Sequence, residues 1–241
     1  MNRKYKNPPI VEVVCGFKFN EETNWDATIP GLLHDKLKEN FPRKEQRIIQ
    51  ELEIKQEQGN IQQYLRTTER ILFFTEDQKM VIQVGPRLLV INALKPYPNW
   101  EKYKEYIKMG LDTLMEITEI KGIDNVNLRY INSIKLPRGE DIKEYFRLHI
   151  SLSEKLLKNL ASFIAIVEFS YFDDRDKCRV NFSFSLSRDE YILDIDYFLN
   201  QKGNLSISNT YEWLENAHNN IEEIFEEAIT DKLRKVFEEV L

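Results

Sequence analysis

Glu12 is the only charged residue between Pro8 and Phe17, and a carboxylate in so apolar a run needs a cation or several donors to offset its lost hydration. Arg129, in a second strand-like run, is the candidate cation, with Tyr130 and Asn132 expected to line the same area. The pair has two readings, a structural clamp between two strands or a ligand-facing pair. Five aspartates make the second constellation: Asp173, Asp174 and Asp176, then Asp194 and Asp196. Oxygen ligands of this kind can hold a divalent cation. Against that, 173–177 reads as a polar hairpin loop, Asp194 and Asp196 alternate with Leu193 and Ile195 as an outer strand face, and the glycine-containing pattern of calcium loops is missing. The third constellation is basic. Arg66, Arg70 and Arg87 lie on or near segments that also carry Tyr64, Phe73 and Phe74, a mixture on which nucleic-acid bases stack. Its plainer reading is core aromatics with solvated charges at strand edges.

Nothing beside these candidates completes a standard catalytic set. His34, His149 and His218 fall in separate segments expected to be helical, none with a ligand-spaced partner, and read as surface or satisfied helix residues. There is no GxSxG elbow and no GxxxxGK[ST] loop, and 8 glycines in 241 residues leave little for cradling phosphates. Cys15 and Cys178 read as reduced thiols, without disulfide, CxxC or zinc spacing. No catalytic residue and no cofactor is expected.

The elements that must position these groups follow from apolar spacing. A proline-tethered entry at Pro8 and Pro9 leads into a buried strand over 10–19. Ile29, Leu32, Leu33, Leu37 and Phe41 predict an amphipathic helix within 27–41, with Asp26 as its cap. Strands are expected near 47–56, 62–75, 79–84 and 87–93, separated by hairpin punctuation at 58–60, 76–77 and 85–86. A second helix is expected over 99–120, closed by Lys121-Gly122. The second half repeats the order: a strand over 126–136, helix over 140–160 with a break near 151–153, three strands, and a long helix from Asn209 that Thr230-Asp231 re-caps. Strict alternation of Val180, Phe182, Phe184 and Leu186 with polar residues marks one strand as covered on one face only. The expected fold class is α+β, with two pseudo-duplicated units, 1–121 and 122–241, and helices on one face of curved antiparallel sheet. A TATA-binding-protein-like saddle or a pair of helix-grip lobes would satisfy that order.

Lys and Arg number 34 against 40 Asp and Glu, so the formal net charge is -6 and no global positive field exists to hold phosphate backbones or anionic lipid. No run is apolar for the roughly 18 residues that a membrane helix needs, and the start does not read as a secretory signal. A cytoplasmic protein is expected, with no membrane partner.

Two of the motifs above, YKNPPIVE at Tyr5 to Glu12 and RYIN at Arg129 to Asn132, resemble the signatures of a sporadically distributed prokaryotic protein family of similar size. The stretch from Asn209 to Thr230 resembles that family's last helix, so the likeness covers nearly the whole chain. The family has no assigned activity or catalytic residues to carry over. Its patchy distribution implies an accessory gene in a defence, toxin–antitoxin or mobile-element setting.

Three functions stand as expectations. The first is a non-enzymatic binding or accessory protein acting through protein–protein contacts, with another protein or as a dimer, which a large exposed apolar patch would favour. The second is a nucleic-acid-binding module, which clustering of Arg66, Arg70 and Arg87 beside exposed aromatics would favour. The third is a metal-dependent enzyme built on the aspartates.

Overall fold

The computed structural model describes residues 3–57, 60–136, 140–187, 189–203 and 205–240, with only the backbone described for 49–57, 60–66, 154 and 157. The chain opens with β1 (Lys4–Tyr5) and β2 (Ile10–Phe19). In β2 every second residue from Val13 to Phe19 is buried, the period that a strand covered on one face imposes. Helix α1 (Ile29–Leu37) carries Pro30 in its first turn, where a missing N–H costs nothing, and is anchored by Leu33 and Leu37. Asp26 serves the approach to it by accepting hydrogen bonds from the Thr28 N–H and hydroxyl.

Four strands follow: β3 (Arg43–Glu57), β4 (Asn60–Phe74), β5 (Met80–Gly85) and β6 (Leu88–Leu94). Asp77 builds the turn between β4 and β5, accepting from Thr75 Oγ1 at 2.7 Å and from the Lys79 N–H at 3.1 Å. Helix α2 (Trp100–Ile117) is capped by Asn99, which accepts from the Lys102 N–H, and it buries Tyr103, Ile107, Leu111 and Leu114 along one stripe. It ends before Lys121-Gly122, because Thr118 turns extended and its hydroxyl donates to the Asn24 carbonyl.

The second half comprises β7 (Ile123–Ile134), α3 (Glu154–Leu157), β8 (Ser162–Tyr171), β9 (Asp176–Ser185), β10 (Glu190–Leu199), α4 (Thr210–Ala228), α5 (Asp231–Val236) and β11 (Glu239–Val240). Thr230 caps α5 by accepting from the Leu233 N–H, so the re-capping expected at Thr230-Asp231 is present. Over 140–160 the expected helix shrinks to a single 3-10 turn at Ile142–Glu144 and the four residues of α3. The physical reason lies in where the backbone groups go. The Arg147 N–H donates to the Ala228 carbonyl and the Thr230 N–H to the Tyr145 carbonyl, while Phe146 bridges Ile229 and is fully buried. The segment is thereby stitched to the junction of α4 and α5, and His149 falls outside any helix.

Nine strands form one antiparallel sheet in the order β3-β4-β5-β6-β2-β7-β10-β9-β8, and β1 pairs with β11 separately. The opening strands of the two halves, β2 and β7, are antiparallel neighbours in the middle, with Val14 opposite Arg129. On one face Val13, Cys15, Phe17, Ile82, Ile91, Leu128, Val180, Phe182 and Ile195 form the core with the buried stripes of α1, α2 and α4. The other face carries Glu12, Val14, Asn92, Arg129, Asp194, Asp196 and Arg179, and among the described residues no buried helix side chain packs against it. Its only buried apolar cluster among them is Leu72, Phe74 and Val81, with Leu94 alongside.

Candidate binding face and edge

On the helix-free face a polar belt runs from β4 to β8. It starts where Arg70 Nη1 donates to Gln83 Oε1 at 3.2 Å; Gln83 Nε2 donates to Asn92 Oδ1 at 2.8 Å, and Asn92 Nδ2 to Glu12 Oε1 at 2.7 Å. Glu12 is thus satisfied from its own half. Arg129, one diagonal step away on β7, is held by Asp194, with Nε to Oδ1 at 2.7 Å and Nη2 to Oδ2 at 2.6 Å. The opening strands are neighbours, as the expected Glu12–Arg129 clamp requires, and the Glu12 charge acts on Arg129, but the bonded partners are Asn92 for Glu12 and Asp194 for Arg129, because β6 and β10 bring these within reach. The belt continues through Asp196, directly opposite both Arg129 and Arg179, to Glu168 on β8, which accepts from Arg179 and pairs with Lys177. Positive and negative groups alternate along it, so it presents no single-sign field.

Asn127 Nδ2 donates to Asp196 Oδ1 at 2.9 Å, and Gly16 makes room for it: a Cβ at Gly16 would lie 2.5 Å from Asn127 Oδ1. Burial raises the Asp196 carboxyl above the usual aspartate range; Asn127, Arg129 and Arg179 pull it down, and Asp194 adds to the rise. An acid whose folded-state pKa is raised binds its proton more tightly folded than unfolded. Its contribution to stability is therefore present at acid pH and lost as pH rises from the usual carboxyl range through the raised value. Asp196→Asn is expected to gain stability relative to the wild type as pH rises across that window. Urea titrations of both proteins at acid and neutral pH check it, and an advantage that shrinks with rising pH would refute it.

Strand pleat separates the residues that the sequence grouped. Tyr130 and Asn132 alternate with Arg129 and Ile131, so they lie on the helix side, both buried. Asn132 Nδ2 donates to the Leu193 carbonyl, while Tyr130 joins a chain from Tyr97 Oη (3.0 Å) to His218 Nδ1 (3.0 Å), with His218 Nε2 3.3 Å from Glu222. Trp100 stacks on His218, ring centroids 4.3 Å apart. The aspartates are divided in the same way. Asp176 is buried under the helices, accepting from Arg175, Tyr197 and Trp213, whereas Asp194 and Asp196 lie on the opposite face; Asp173 and Asp174 occupy the turn between β8 and β9 with positive φ. Among the described residues no group of three or more His, Cys, Asp or Glu is placed to hold a metal ion.

Of the basic set, Arg70 is buried within the belt and Arg87 sits in the turn between β5 and β6, its Nε donating to the Thr23 carbonyl. Phe73 is core and Phe74 belongs to the small cluster on the open face. The side chains of Arg66 and Tyr64 lie outside the described residues. Cys15 and Cys178 are both buried and free; burial pushes the Cys178 thiol up to about 12 and raises Cys15 as well, so neither is a thiolate at neutral pH. No helix among the described residues is long and apolar enough to cross a membrane.

The feature that sequence reasoning missed is the edge strand. β8 ends the sheet, with β9 on one side and no strand on the other among the described residues, and Ile164 and Ile166 on the open face are 72% and 63% exposed. Its only charge, Glu168, is already engaged. The opposite edge, β3, is RKEQRIIQELEIKQE, whose dense charge blocks pairing with another strand. Sparse charge along 162–171 was a readable signal, but which strand forms an edge is a property of the topology.

Fold and site together define an α+β protein built on a large antiparallel sheet. Comparison of its sequence with protein-family models and with curated proteins finds no match.

Proposed function

We propose that this protein is a non-enzymatic binding protein that assembles with a second copy of itself through β8. The observation that carries this reading is that no strand among the described residues pairs with the outer edge of β8, a ten-residue strand with exposed isoleucines and its single charge internally neutralised. Unpaired backbone N–H and C=O groups along such an edge complete their hydrogen bonds on a second strand. A twofold antiparallel pairing centred on Ala165 sets Ile164 of each copy against Ile166 of the other and Glu168 against Ser162, so no like charges meet. The paired opening strands β2 and β7, with the remaining strands of each half ordered outward from them, support a chain of two related units in a saddle like that of TATA-binding-protein-like folds. Dimerisation through β8 extends that sheet.

Sedimentation equilibrium of the wild type over a concentration series is expected to show a dimer, and Ile164→Lys/Ile166→Lys a monomer. Both side chains already face water, so the folding cost is within about 1 kcal/mol. A wild type that stays monomeric throughout, or a lysine variant that dimerises equally well, would sink the reading.

A further inference from the structure

At the end of β2 and β7 remote from the β5–β6 turn, three lysines line one cavity. A cavity of about 360 Å³ is lined there by Lys6, Pro8, Pro9 and Ile10 ahead of and at the start of β2, by Lys95, Pro96 and Tyr97 after β6, by Ser133 to Lys135 at the end of β7, and by Val236 and Phe237 at the end of α5. Its lining holds Lys6, Lys95 and Lys135 and no carboxylate, in a chain whose net charge is -6. Lys6 is 3.7 Å from Glu238, while Lys95 and Lys135 have no ion-pair partner among the described residues. The Ser133 hydroxyl likewise has no hydrogen-bond partner among them. The rest of the lining includes prolines, Ile10, Ile134 and Phe237, and Tyr97 is pinned by its hydrogen bond to Tyr130.

We infer that this cleft binds a small organic phosphate, Lys95 and Lys135 taking the phosphate, Lys6 adding to them from its pair with Glu238, and the apolar lining taking the body of the ligand. Two or more cations without a counter-charge fit an anion carrying two negative charges, and mobile ammonium groups suit the spread oxygens of a phosphate. The volume lies at the small end of ligand sites, which matches a compact monoester. Prolines at three lining positions restrict the backbone there, which lowers the entropy cost of association. The YKNPPIVE motif contributes Lys6 to Ile10 to this cleft, and the RYIN motif runs directly into Ser133, so both motifs frame it.

Isothermal titration of the full chain at low salt with phenyl phosphate, inorganic phosphate and phenol tests the assignment. Phenyl phosphate is expected to saturate one site with a Kd on the order of 0.1–1 mM, inorganic phosphate to bind at least several-fold more weakly, and phenol not at all. Lys95→Gln/Lys135→Gln is expected to weaken phenyl phosphate by about tenfold or more without moving the urea midpoint, because both side chains are exposed. Lys38→Gln/Lys108→Gln, which removes the same charge from α1's end and α2, is expected to leave binding unchanged. Absence of saturable binding, equal weakening by both double variants, or sedimentation with phosphatidic acid vesicles without binding of phenyl phosphate would each overturn the inference. The cleft is three strands removed from β8, so the lysine variant at Ile164 and Ile166 is expected to bind phenyl phosphate as the wild type does, whatever its oligomeric state.

Discussion

Asp176→Ala is expected to destabilise the protein by about 3–5 kcal/mol, because it orphans two buried donors at once. The carboxylate is fully buried at the start of β9 and gathers three donors: Trp213 Nε1 at 3.1 Å, Tyr197 Oη at 3.2 Å and the Arg175 guanidinium, bidentate at 3.1 and 2.6 Å. Removing it leaves an indole N–H and a phenol O–H unsatisfied in the core between α4 and the sheet, each costing about 1–3 kcal/mol. Arg175 suffers less, because its guanidinium is partly exposed and lies over the Phe172 ring. Asp176→Asn keeps an acceptor for Trp213 and is expected to lose about half as much. Urea denaturation followed by tryptophan fluorescence measures both. An alanine variant within about 1 kcal/mol of the wild type would show that the indole and the phenol find other acceptors.

The second large effect is expected at Arg129. Arg129→Ala leaves Asp194 buried and Asp196 beside it, with the nearest cation gone. A fully buried pair broken in this way costs about 3–5 kcal/mol; here the Arg129 side chain is 41% exposed, so water screens part of the loss and about 2 kcal/mol is expected. Adding Asp194→Asn to that background is expected to restore about 1 kcal/mol, because the orphaned charge is removed with its partner. Strict additivity of the two single losses would mean that the pair contributes no coupling. Arg129→Ala leaves Glu12 bonded to Asn92, so the first-half segment of the belt is expected to survive.

Much of the architecture was legible in local pattern. The short Ile-, Val- and Phe-rich run over 10–19 marked a buried strand, strict alternation over 179–187 put Val180 and Phe182 in the core, and the turn residues at 76–77 and 85–86 marked hairpins that form where expected. Local chemistry also sufficed for Thr230, whose hydroxyl caps α5. Periodicity failed over 140–160, where Tyr145 and Phe146 are apolar at spacings that suit a helix but spend their backbone bonds on the junction of α4 and α5. The carboxylates of α4 illustrate the same limit. By residue type the run Glu222, Glu223, Glu226 and Glu227 is the outer face of the last helix, yet Glu226 accepts from Tyr5 Oη at 2.7 Å and from Arg234 Nε at 2.8 Å and so ties the N-terminal segment to α5.

By itself the amino-acid sequence determined which side chains could be buried, where the chain turns, and that Glu12 and Arg129 would each need a partner, because these follow from residue type, period and desolvation cost. The partners were decided only by tertiary structure. Strand order put Asn92 beside Glu12 and Asp194 beside Arg129, and the period of two put Tyr130 and Asp176 under the helices, away from the charges that neighbour them in the sequence. Strand order also left β8 at an edge and brought Lys6, Lys95 and Lys135 around one cleft, since contacts between residues tens of positions apart depend on which strands become neighbours, and no local pattern encodes that.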